Sequence, residues 1–541
     1  MIAVAVPSPA RLAAVGLALL LSACAAPDGA SRADAGARDA SLECADFLGE
    51  LDRVIDVAGV RDAGEHRIAG FPFLRVDRFT ASFRDELGDE ARSRAWIVRM
   101  RTLDERARRF EIANLPEDVF PIMQRHGRED AFAHARACGD RLAAQLAGQP
   151  AQLERVVRLA VVPDDYSTFR RAVGLYALTG MPFAASERRW ERRTSRLFAE
   201  GRSAPPPGNV VYQRYEPATG TLPAAEAIAQ ARAALAAAPV DALGVPQLDD
   251  EARERLFAAF APRFEIATSA EYDRFGPLLW IDLRGLVFPG AERYWLDVEP
   301  SQSVVYRRLA FTRYGAEVLP QLVYTIWFSG RPMQDSGDLL GGRLDGLVWR
   351  VTLDPRGEPL LFDTVQPSGR FAMFFPTARL HPKPPPESEP LAEWAYSPID
   401  EPIEQWVGPS GNDVSTAPLA SVELRIASHT HQLVGVARPG TPWGEPSAPN
   451  PPYRFLAADR LRALPLPGGG SRSIFGPEGI VPHTERFARY FFWPMGIESP
   501  GSMRQWGRQP TAFVGRRHFD DADLIERRFE WREPAEAGSA K

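Results

Sequence analysis

The spacing His429-Thr430-His431 is the first place in this chain where reactive side chains stand in a pattern that suits chemistry. On a strand, residues two apart face the same way, so both imidazoles would project from one face, as a His-x-His metal pair requires. Val422, Leu424 and Ile426 would take the opposite, apolar face, with Glu423 and Arg425 sharing the polar one. A divalent metal needs at least one further ligand. His483, His518 or Asp520 would supply it if the fold brought them near, and the chemistry would be that of a metal-dependent hydrolase. The competing reading is a polar strand face with hydrated or paired histidines. A second cluster, His518-Phe519-Asp520-Asp521-Ala522-Asp523, gathers carboxylates beside a histidine. Such oxygens suit Ca²⁺ or complete a zinc site, but the spacing is not that of an EF-hand. Helix capping by Asp520 or Asp521 ahead of Leu524-Ile525-Glu526 explains the same residues.

Other patterns carry less. Gly468-Gly469-Gly470-Ser471-Arg472-Ser473 lacks the Gly-Lys-Ser/Thr ending of a phosphate cradle and reads as a turn. Arg188, Arg189, Arg192, Arg193 and Arg196 share one expected helix with Trp190, Leu197 and Phe198. A basic helix of this kind either rests on anionic lipid headgroups or is a solvated face. Tryptophans at 493 and 506 would stack on sugars if exposed and plug the core if buried. There is no Gly-x-Ser-x-Gly elbow and no His-Glu-x-x-His helix. The only lysines are Lys383, in a proline run, and Lys541, which leaves no Walker A or Schiff-base lysine.

These residues need elements to hold them. The chain of 541 residues has room for two or three domains, and its apolar fraction of 45% is ordinary for a globular protein. A net charge of −6 gives no reason to expect nucleic acid as a partner. Residues 42–203 read as helical. Trp96, Met100, Leu103, Ala107 and Phe110 form one i, i+4, i+7 stripe, and Phe132, Ala135, Cys138 and Leu142 another. Residues 204–262 read as a linker, marked by Ala204-Pro205-Pro206-Pro207-Gly208, and two helices near Ala224–Ala237 and Asp249–Phe260. From 263 to 541 the pattern is β-rich. Val304–Arg313 and Val318–Phe328 join around Tyr314-Gly315, and Asp354-Pro355-Arg356-Gly357 is a type I turn between two further strands. Val422–Val436 reads as one more strand. The expected class is α+β, a helical N-terminal region followed by an antiparallel β-rich C-terminal region.

The N-terminus carries the most specific signal. Arg11 precedes an apolar run, Leu12 to Leu21, that is too short to span a bilayer. Leu21-Ser22-Ala23-Cys24 follows directly, and this segment resembles the lipobox of bacterial lipoprotein precursors. The resemblance covers residues 1–23 as signal peptide and implies that Cys24 receives two or three acyl chains, enough for stable anchoring. Ala25 stands where inner-membrane lipoproteins often carry Asp, which implies the periplasmic side of the outer membrane. Residues 24–41 would be a flexible tether. With Cys24 lipidated, Cys44 and Cys138 remain as thiols in an oxidising compartment, both on expected helices, and a disulfide between them or two buried thiols are the alternatives.

Two functions follow. One is a non-catalytic envelope protein that binds an envelope protein or glycan and needs no cofactor. The other is a hydrolase with a divalent metal on His429 and His431 and with His518 or Asp520 as third ligand.

Overall fold

The computed structural model describes residues 32–119, 127–203, 211–218, 224–284, 293–385, 387, 392–408, 419, 421–440 and 450–532. The lipobox and the Pro-rich linker at 204–208 lie outside the described residues. The fold is mixed α+β, with helices mostly in the N-terminal half and sheets in the C-terminal half. Among the described residues, no helix is long and apolar enough to cross a membrane.

The helical region contains α1 (Arg32–Val57), α2 (Glu90–Asn114), α3 (Arg128–Leu146), α4 (Pro150–Leu159), α5 (Thr168–Val173) and α6 (Tyr176–Ser203). Helix α1 starts inside the stretch 24–41 that reads as a tether. Its turns at Cys44, Leu48, Leu51 and Ile55 are buried in the helical core. Asp89 caps α2 by accepting from the Arg92 amide, and Trp96, Met100, Leu103 and Ala107 are buried along the expected stripe. The cysteines at 44 and 138 form a disulfide, with Cα atoms 5.0 Å apart, that staples α1 to α3. The sequence pattern misses a hairpin between α1 and α2, β1 (His66–Ile68) with β2 (Phe71–Val76). Five of the six β2 residues are buried, so the strand lacks the polar alternation that would mark it.

Past α6 come β3 (Val211–Tyr215), α7 (Ala224–Ala237), α8 (Asp250–Ala259) and β4 (Arg263–Thr268). Two further strands, β5 (Leu278–Asp282) and β6 (Tyr294–Val298), pair with each other. The main sheet holds β7 (Val304–Tyr314), β8 (Glu317–Arg331), β9 (Gly342–Leu353), β10 (Pro359–Val365) and β11 (Met373–Pro376) as an antiparallel meander. Gly315 and Gly357 take left-handed φ at two of its hairpin turns, as the turn residues require. One face of this sheet, with Leu322, Tyr324, Trp349 and Phe362, packs on α8 and a smaller sheet. The other face, with Leu319, Val323 and Phe374, packs on the C-terminal segment through Phe519, Ile525 and Phe529.

The stretch Val422–Val436 is two strands, not one. After β12 (Leu380–Pro382) come β13 (Glu423–Ile426) and β14 (Leu433–Ala437), which form a hairpin with residues 427–432 as its turn. The strand β13 also runs parallel to β4, and β15 (Arg454–Ala457) runs parallel to β7, so the β-rich half is not purely antiparallel. Both departures need chain from distant segments, which local alternation cannot reveal.

Buried ion pairs join the halves. Arg462, from the β-rich half, reaches Asp62 at 2.7 Å and Glu65 at 2.6 Å in the helical half. Arg78 reaches Asp520 at 3.1 Å, and the Tyr166 hydroxyl lies 2.9 Å from the carbonyls of both Ala512 and Arg517, between which its one proton is shared.

Candidate functional site

A cleft of about 950 Å³ opens where the two halves meet. Helix α2 forms one wall. Its buried stripe faces the helical core, and a second stripe on another side, Ala91, Ala95, Arg99, Thr102 and Arg106, faces the cleft. The i, i+4 and i, i+3 spacing puts these residues on one line, and the two alanines leave the space open. Helix α8 forms the facing wall with Arg253, Glu254 and Phe257, and is capped by Asp249 on the Ala252 amide at 2.7 Å. The floor is the edge of β7.

That edge is open for part of its length. Strand β15 pairs with β7 only from Val304 to Arg307. Even-numbered residues such as Tyr314, beside the hairpin turn, exchange hydrogen bonds with β8, so the odd-numbered ones aim their N–H and C=O outward. At one end the Arg454 amide donates to Ser303 C=O, and at the other the Arg313 amide donates to Ala522 C=O. Between them Leu309 and Phe311 present backbone groups to the cleft, and among the described residues no strand pairs with that outward edge of β7.

Charge around the cleft is nearly balanced and mostly paired. Asp459 takes Arg106 at 2.7 Å and Arg308 at 3.0 Å. Burial works against the Asp459 carboxylate, but Arg308, Arg106 and Arg462 hold its pKa well below the usual range. Burial and the neighbouring Arg106 pull the Arg308 guanidinium down to about 10. Arg307 pairs with Glu254. Arg99 lies over the Phe79 ring at 4.5 Å and donates to the Thr80 hydroxyl at 3.1 Å. Burial lowers its pKa, opposed by Asp77 and Asp241. The described lining contains no histidine, serine, cysteine, tyrosine or lysine.

The residues expected to hold a metal are not brought together. His429 and His431 lie in the β13–β14 turn with left-handed φ of 61° and 50°, so strand alternation does not govern where they point. His431 is fully buried, with Nε2 3.2 Å from Asp273 and Nδ1 3.1 Å from Asp345, and it stacks on Phe328 at 3.9 Å. Burial alone would lower its pKa; the two aspartates win and raise it. Both ring nitrogens are thus turned to carboxylates. His429 meets the Tyr272 hydroxyl at Nδ1, 2.8 Å, and the Ser269 hydroxyl at Nε2, 3.2 Å.

His518 belongs to a different cluster, 3.3 Å from Asp165 and 3.4 Å from Asp521, and its pKa is raised by those carboxylates against burial. Asp520 turns to Arg78 and the cleft. His483 stacks on Trp295 beside a second groove of about 690 Å³. Among the described residues no group of three or more His, Cys, Asp or Glu is placed to hold a metal ion. Nor do Asp520 and Asp521 cap the last helix, Leu524–Arg528. Asp523 stands at its N-cap without a side-chain bond, while Asp521 accepts from the His518 amide at 2.8 Å.

Sequence reasoning missed the cleft. Its one local signal was the second stripe on α2, which alanines and arginines made look like a solvated face. Trp506, by contrast, is conspicuous in the sequence for its ring and does line the cleft. No family model, curated protein or solved structure matches the chain.

Proposed function

We propose that the protein is a lipoprotein of the cell envelope, anchored through Cys24 on the periplasmic side of the outer membrane, and that it binds an envelope protein without catalysing a reaction. The observation that supports binding is the open edge of β7 on the floor of the cleft. An extended segment of a partner would add as a strand beside Leu309 and Phe311. Its backbone would satisfy theirs, and alternate side chains would meet Phe79, Phe257 and Trp506. The paired charges at the rim suit a polar, uncharged or zwitterionic segment better than a polyanion.

Proline at position 309 tests this, because the N–H it removes is not used by the sheet. Short peptides selected from a displayed random library should protect the Leu309 and Phe311 amides from hydrogen exchange, and Leu309→Pro should weaken their binding at least tenfold with the fold unchanged. Selected peptides that bind Leu309→Pro equally well would remove strand addition from the reading. Soluble glycan fragments that compete for the cleft where no peptide does would shift the partner from protein to glycan.

A further inference from the structure

Helix α6 turns two different sides to its surroundings. Its inner side is fixed: Trp190 packs on Tyr396 and Phe371, and Phe198 on Phe375. The outer side runs as one stripe, Leu178, Met181, Ala185, Arg188, Arg192 and Arg196, at i, i+3 and i, i+4 spacing, and every residue of it is exposed. The stripe is apolar at the start of the helix and cationic further along. Arg189 and Arg193 flank the cationic part and are exposed as well. The acidic residues of this segment, Glu187 and Glu191, are only partly exposed and turn towards Glu393 and Arg517.

A second element extends the apolar end. The turn at 489–495 packs against the start of α6, with Phe183 and Phe492 at 5.3 Å, and against α5, where Arg171 donates to Met495 C=O at 2.8 Å. That turn and its approach carry Phe487, Tyr490 and Phe491, each more than half exposed, as are Leu178 and Met181. Large aromatic and aliphatic side chains thus stand clear of the core on two neighbouring elements, bordered by five arginines.

We propose that this face rests on an anionic membrane surface, with Leu178, Met181, Tyr490 and Phe491 entering the boundary between headgroups and acyl chains and the α6 arginines meeting lipid phosphates. Charge decides the occupant. A second copy of the chain would bring like charge against like, whereas an apolar patch bordered by arginines complements an anionic bilayer. The choice of a membrane rests on the anchoring reading above. The face adds an orientation: two attachments, lipid and surface, would stop the body from swinging on its tether.

The test uses the full chain with a benzophenone amino acid in place of Leu178 or Tyr490, irradiated on vesicles of phosphatidylglycerol and phosphatidylethanolamine. Both positions should give lipid adducts, and Val57, exposed on α1, should not. Adduct yield should fall several-fold on phosphatidylcholine alone and in the triple variant Arg188→Glu, Arg192→Glu, Arg196→Glu. Vesicle-bound protein without lipid adducts at 178 and 490, or with adducts to the chain's own N-terminal segment or a second copy instead, overturns the proposal. Anchoring is read separately from fatty-acid labelling of the parent and its loss in Cys24→Ala. Absent labelling with adducts intact defeats the anchor alone; labelling with no adducts defeats the face alone.

Discussion

His431 is fully buried between two carboxylates that favour its charged form. Its ring lies between Asp273 and Asp345, and Arg331 and Arg486 stand behind Asp345. Asp273 is a hub: it accepts from the amides of Ser269 and His429 and the hydroxyls of Ser269 and Ser428, each at 2.8 Å. Because the folded pKa of His431 is raised above the unfolded value of about 6.5, its contribution is complete below about pH 6.5. It is lost as pH rises through the folded value. His431→Asn should cost about 3–5 kcal/mol at neutral pH, because it strands two buried carboxylates. Asn tolerates the left-handed backbone, so the loss reports the charge and not strain. Urea midpoints followed upward from about pH 6.5 should fall more steeply in the parent than in the variant; equal slopes would remove His431 as the source. The sequence made this histidine conspicuous and gave the wrong reason for it. Its partners come from positions 273 and 345, and no local pattern links them to 431.

At the level of elements, the staple between α1 and α3 closes a loop of 94 residues. In the chain-entropy model such a closure is worth about 4.7 kcal/mol. Cys44→Ser with Cys138→Ser should lower stability by up to that amount in denaturant titration, and adding reductant should then change nothing further. A double variant as stable as the parent would mean the bridge does no thermodynamic work. Elements built from local periodicity were legible: the α2 stripe, α7, α8 and the meander from β7 to β11. Elements whose partners lie far along the chain were not. Strand β2 is buried along most of its length, β3 follows a proline run, and the parallel pairs β13–β4 and β15–β7 each join segments more than a hundred residues apart. The open edge of β7 is a consequence of where β15 stops, which explains why the cleft could not be foreseen.

For the whole molecule, the question is whether the helical and β-rich halves act as one body. Arg462 is buried at their junction and meets two carboxylates from the helical half. Burial works against its charge, and Asp62 and Glu65 outweigh that effect and raise its pKa. Arg462→Met should therefore destabilise by about 3–5 kcal/mol and split one calorimetric transition into two. A variant that still melts in a single transition at the parent temperature would show that other contacts weld the halves. The disulfide also has a mechanical meaning. Tension entering at the N-terminus would cross from residue 44 to 138 through sulfur and leave the loop between them slack. That loop holds β1, β2 and α2, so the cleft wall stays off the load path. In a pulling experiment between the chain ends, the 94-residue separation would hide about 320 Å of contour length until reductant is added.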